Sequence, residues 1–200
     1  MSKLIAIDIG NTETTVGIGS NGVWDSYRFT TRDTNTSDEL LSLFNSTFQM
    51  SAEMKKNLRG SIICSVVPQI TTNVSQAIKK YANVDSLIVG PGVKTGLKVN
   101  IDNPKELGPD RIANSVAGFI KTSDNVIVID LGTATTFDIV NKNKEYLGGS
   151  IAPGIKISLN TFYEGDTLGA DSDSDDDDTD DGVRVRLPET RVSDRSPKRP

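Results

Sequence analysis

The 200-residue chain has no histidine and a single cysteine. Without an imidazole, any general base has to be Asp, Glu, Lys or Tyr. One thiol excludes an internal disulfide and fits a reducing compartment. Cys64 lies in the apolar run Ser61-Ile-Ile-Cys-Ser-Val-Val67, where a buried inert thiol is expected rather than a nucleophile. Long apolar runs are missing too. The opening Met-Ser-Lys-Leu-Ile-Ala-Ile-Asp is too short for a signal peptide or a membrane span, so a cytoplasmic protein with no membrane partner is expected. Excess positive charge is also absent. Residues 1–170 carry 16 Lys+Arg against 17 Asp+Glu, which leaves no basic footprint for nucleic acid.

What is present is a repeat. Ala6-Ile-Asp-Ile-Gly-Asn-Thr12 and Val128-Ile-Asp-Leu-Gly-Thr-Ala134 lie about 120 residues apart, and each is a short apolar strand ending in Asp-x-Gly. Each is followed by a second β-branched run, Thr14-Thr-Val-Gly-Ile18 and Thr135-Thr-Phe-Asp-Ile-Val140. A tight Gly- and Thr-rich turn headed by Asp suits a nucleotide phosphate tail. Backbone N–H groups and hydroxyls donate to phosphate oxygens, and the carboxylate holds Mg2+ directly or through water. The duplication points to two like-folded halves facing each other across a nucleotide.

The rest of the pattern alternates strands and helices. Strands are expected over 3–9, 14–19, 22–30, 60–67 and 86–90, with Ser20-Asn-Gly22 as a hairpin turn. Helices are expected from Ser37, taken as the N-cap, from Pro68 to Tyr81, and over 108–120. Residues 95–105 read as irregular. Strands over 125–131, 135–141 and 144–152 repeat the opening trio, and a helix follows from Pro153 to about Tyr163. The class is α/β. The last thirty residues differ in kind: Asp171–Asp181 has eight Asp in eleven positions, and such crowding of like charge cannot bury a core. It also fails the EF-hand pattern, because Asp176 stands where Gly is required.

Four motifs in order, Asp8-Ile-Gly-Asn-Thr12, Gly108-Pro-Asp-Arg111, Asp130-Leu-Gly-Thr-Ala-Thr-Thr-Phe-Asp138 and Gly148-Gly-Ser-Ile-Ala-Pro-Gly154, resemble the signature set of type III pantothenate kinases. The resemblance runs from about residue 3 to about 163. It implies duplicated ribonuclease-H-like (actin-like ATPase) domains, 1–107 and the start of a second over 108–165, with 166–200 an atypical disordered tail. It further implies a homodimer that transfers the ATP γ-phosphate to pantothenate, the first step of coenzyme A synthesis, with Mg2+ and K+ or NH4+.

The resemblance also assigns roles. Asp8, Ile9, Gly10, Asn11, Thr12, Glu13, Thr14 and Thr15 would cradle ATP, with Asp8 organising Mg2+ and Thr133 donating to phosphate. Asp130 would hold the monovalent cation. Gly108, Pro109, Asp110 and Arg111 would contact pantothenate, with Asp110 as the base. Read without it, Asp8 equally caps its own hairpin and Asp110 is a good first-turn residue. Arg111 is then either a clamp on a substrate carboxylate or a surface ion pair. The three glycines of the last motif are read as positioning.

After the Pro153 helix the family continues to an Ile-Gly-x-Asn-Thr motif and further helices, which are not found here. One sheet face is therefore expected to lack its cover. Two rivals follow: a non-catalytic nucleotide-binding or regulatory relative (some relatives are described as transcriptional activators), and another small-molecule kinase of the superfamily.

Overall fold

The computed structural model describes residues 3–90 and 92–167; the acidic run and the rest of the tail lie outside them. The first sheet begins with a meander: β1 (Lys3–Ile9), β2 (Glu13–Ser20) and β3 (Val23–Thr30). The β2–β3 turn has Asn21 at φ 51° and Gly22 at φ 83°, the left-handed pair that a two-residue hairpin needs. Two parallel strands, β4 (Leu58–Ser65) and β5 (Ser86–Ile88), complete the order β3-β2-β1-β4-β5. Strand period decides which residue faces where. Ile5, Ile7 and Ile9 point to one face and are buried; Ala6 and Asp8 point to the other.

The buried face is covered by α1 (Ser37–Phe48) and α3 (Pro68–Ala82), with a short α2 (Ala52–Lys56) beside them. Leu40, Phe44 and Phe48 of α1 meet Ile70, Val74 and Ile78 of α3 over the β1 isoleucines. The N-cap of α1 is Thr36, not Ser37. Thr36 Oγ1 accepts from the Glu39 N–H at 3.3 Å, and the Thr36 N–H donates to Glu39 Oε2 at 2.7 Å. This reciprocal box needs Glu at the third helical position; counted from Thr36 that residue is Glu39, whereas Ser37 would put Leu40 there.

The helix α4 (Pro109–Thr122) forms the next layer, and β7 (Val126–Leu131), β8 (Ala134–Val140) and β9 (Glu145–Pro153) form a second antiparallel meander. The segment expected to be irregular contributes β6 (Lys98–Val99), parallel to β9, and a 3-10 turn over Pro104–Glu106. Two residues of pairing are too short to leave a periodic signal. The helix α4 packs on β4 of the first sheet and on β7 and β8 of the second. It comes close because Gly118 has no side chain; a Cβ there would overlap Val128. Its face of the second sheet buries Val140 and Tyr146 beside Ile112 and Phe119.

The opposite face of the second sheet is exposed among the described residues. Ile127 pairs with Ile139 and Ile129 with Phe137, and these side chains with Leu131 are 37–66% exposed. The chain then runs into α5 (Ile155–Thr167), on which Ile155, Ile157 and Leu159 are also exposed. The result is a mixed α/β molecule with two sheets. Among the described residues no helix is long and apolar enough to cross a membrane.

Candidate active site

The two meanders place their Asp residues identically. Asp8 ends β1 opposite Thr15, and Asp130 ends β7 opposite Thr136. In each, the glycine two residues on closes the turn: Gly10 N–H donates to the Glu13 carbonyl and Gly132 N–H to the Ala134 carbonyl, both at 3.0 Å. The first loop is one residue longer. The two tips meet, with Thr12 Oγ1 and Thr133 Oγ1 3.1 Å apart. Asn11, Thr12, Glu13 and Thr133 are exposed there. Thr31 braces the first turn, donating to the Gly10 carbonyl at 2.7 Å and lying 2.8 Å from the Thr14 hydroxyl. Ile9 is a core side chain whose carbonyl accepts from the Val66 N–H. Gly154 underpins the second turn: its N–H donates to the Thr133 carbonyl, and a Cβ would overlap the Gly132 and Thr133 carbonyls.

Beside Asp8 and Asp130 lies the start of α4. Gly108 is its N-cap and Pro109 its first residue, where a missing N–H costs nothing. The Asp110 carboxylate folds back over Gly108, and a side chain on Gly108 would collide with it. Asp8 feels this neighbourhood. Partial burial, then the negative charges of Asp110 and Asp130, raise its pKa above the usual carboxylate value, against a hydrogen bond from the Cys64 thiol that lowers it. Burial, helped by the charges of Asp8 and Asp110, pushes Cys64 up to about 12, so it stays a thiol, as its apolar run implies.

Asn114, one turn along α4, donates to Asp130 Oδ2 at 2.8 Å. Arg111 turns into the second sheet. Its Nε donates to Asp138 Oδ1 at 2.8 Å and its Nη2 lies 2.7 Å from the same oxygen. The ion pair foreseen at the surface is buried, because Asp138 sits on the α4-facing side of β8. The Nη2 contact is that of an ion pair and lacks the angle of a hydrogen bond. The Tyr146 hydroxyl also donates to Asp138 Oδ1, at 2.7 Å; burial and that carboxylate push its pKa up, against the opposing pull of Arg111.

Two cavities of about 400 Å³ flank this turn. Asp8 and Asp110 line one together with Ala6, Gly17, Trp24 and Ile62; Arg111 lines the other with Ile101, Tyr146 and Gly148. Consecutive residues of α4 thus serve opposite sides. Among the described residues no three Asp, Glu or Cys side chains close into a metal cage. Sequence reading did not single out Asn114, Asp138 or Tyr146 as site residues. The available signal was a charge in the middle of the apolar run Phe137-Asp-Ile-Val140, since a strand buries a carboxylate only with partners.

A family model described as type III pantothenate kinase matches residues 4–169. The type III pantothenate kinase of Citrifermentans bemidjiense is 41% identical over 161 residues, covering 80% of this chain and 63% of that protein. That of Geobacter sulfurreducens is 43% identical over 163 residues, covering 80% and 64%. The chain thus spans just under two thirds of the length of these relatives. Among solved structures, the type II variant of the Aquifex aeolicus Ppx/GppA phosphatase aligns at 14% identity with a TM-score of 0.47, over 81% of this chain and 56% of that one.

Proposed function

This chain belongs to the type III pantothenate kinase family, and we propose that it transfers the γ-phosphoryl group of ATP to the hydroxyl of pantothenate. The observation that carries the reading is the meeting of two like turns, Thr12 against Thr133, around the helix start that bears Asp110. Phosphoryl transfer asks mainly for positioning and for charge neutralisation. Backbone N–H groups and hydroxyls of Gly10–Thr15, with Thr133, hold the phosphates. Asp110 accepts the proton of the attacking hydroxyl. Gly108, Pro109 and Arg111 bind pantothenate at the start of α4.

The repulsion that Asp110 and Asp130 exert on Asp8 fits a resident cation. Asp8 would hold Mg2+, which neutralises charge gathering on the phosphate oxygens, and Asp130 would hold K+ or NH4+. We further take residues 1–107 as an actin-like ATPase domain and 108–165 as the start of a second, in a cytoplasmic homodimer. A second reading, a nucleotide-binding relative without turnover, is favoured by the open face of the second sheet. Purified protein with ATP, Mg2+, K+ and pantothenate decides between them. Phosphopantothenate that falls at least a thousandfold with Asp110→Asn supports the kinase. ATP binding without product supports the second reading.

A further inference from the structure

Asp138 is the one charged side chain in the fully buried class among the described residues. The repeat gives no reason for it. Thr136 corresponds to Thr15, so Asp138 corresponds to Gly17, and the first meander works without a carboxylate there. A buried carboxylate is costly unless partners satisfy it, and an apolar residue usually serves packing as well or better. Here three groups on two strands are built around one guanidinium. Asp138 Oδ1 receives Arg111, and Tyr146 donates to the same oxygen. Gly149, which pairs with Asp138 in the ladder, leaves the space, since a Cβ there would overlap the Arg111 guanidinium. Arg111 directly follows Asp110.

We propose that Asp138 is a positioning residue: through Arg111 it sets where the first turn of α4, and with it Asp110, stands relative to the Gly132–Ala134 turn. Asn114 on Asp130 is the second tie of the same helix. Two ties one turn apart fix both the rotation and the axial position of a helix, which one tie leaves free. The proposal rests on the kinase reading above for its catalytic consequence, but its geometric part does not.

The test is Asp138→Asn, which keeps the shape and removes the charge. We expect kcat for phosphopantothenate to fall at least tenfold while KM for ATP stays within twofold, because α4 shifts while both phosphate-holding turns, Gly10–Thr15 and that of Thr133, stay in place. In the resting protein, backbone amide resonances of Asp110–Asn114 should move. A folded Asp138→Asn variant with kcat within twofold of the parent, or with those resonances unmoved, overturns the proposal. Should Asp138→Asn not fold, Tyr146→Phe takes its place, with about a threefold loss in kcat expected and an unchanged kcat counting against it. If the parent protein itself makes no product, the kinase reading fails; the resonance shift then decides the positioning claim by itself.

Discussion

The two sheets carry the same Asp-headed hairpin on unequal supports. The first is closed by α1 and α3, which bury Ile5, Ile7, Ile9 and Ile63 almost completely. The second has α4 on one face, and on the other Ile127, Ile129, Leu131, Phe137 and Ile139 are exposed among the described residues. Yet the turns at the two strand ends are equally well formed, and they meet. Local turn chemistry is therefore independent of how deep a core lies behind it. The hairpins need only Gly, Thr and Asp at set places, whereas stability needs a layer on each apolar face.

The largest effect to expect follows from that inequality. Phe44→Ala empties a buried site stacked on Phe48 at 5.0 Å and should cost about 3–5 kcal/mol in urea unfolding. Ile129→Ala, on the open face, should cost less than about 0.5 kcal/mol. A large loss at Ile129 would break the comparison, because it would mean that this face is covered in solution. Full burial of each such side chain contributes roughly 1.5–3 kcal/mol, so the two outcomes are well separated.

A smaller effect sharpens the comparison within the first layer. Thr36→Ala removes the cap of α1 and should lower stability by about 1 kcal/mol. The box also holds the Glu39 carboxyl below its usual range, chiefly through the Thr36 backbone N–H. A depressed carboxyl stabilises the fold above its unfolded value, and that contribution is lost as pH falls through the folded one. Glu39→Gln removes that ionisable group, so the gap between Glu39→Gln and the parent should narrow in acid. A gap independent of pH would mean that Glu39 is not part of the cap.

Thr36 also marks where sequence reading is good and where it stops. The strands of both meanders are readable as short apolar and β-branched runs ended by Asp-x-Gly or a polar turn, and the strands appear within a residue or two of where those runs put them. The cap stands one residue earlier than expected, since Ser37 is by type the slightly better cap and only the partner at Glu39 selects Thr36. The site was half readable. Asp8 and Asp130 stand out by the repeat, whereas Asp110 at a helix start reads as an ordinary first-turn acid and gains a role only from the family resemblance. Asp138, Asn114 and Tyr146 do not stand out, because their meaning is a contact across 27, 16 and 8 residues of chain, and spacing carries no information about such pairs.

The smallest effect expected has the opposite sign. Asp8 lies on the better-supported sheet, but its carboxylate faces the cleft, where burial and two like charges raise its pKa. A carboxyl whose folded value lies above its unfolded one destabilises the fold when ionised. The cost is absent in acid, where both states are protonated. It grows as pH rises through the window from the ordinary Asp value to the raised one, and persists above it. Asp8→Asn removes that charge. At neutral pH it should raise Tm by on the order of 1–2 °C in the protein alone, with the gain vanishing in acid, while ATP binding in the presence of Mg2+ is lost. Scanning calorimetry across a pH series, paired with nucleotide titration, reads both. A variant less stable than the parent at neutral pH would show that Asp8 is locally satisfied, and that the first hairpin, unlike the rest of the cleft, holds no stored repulsion for a cation to relieve.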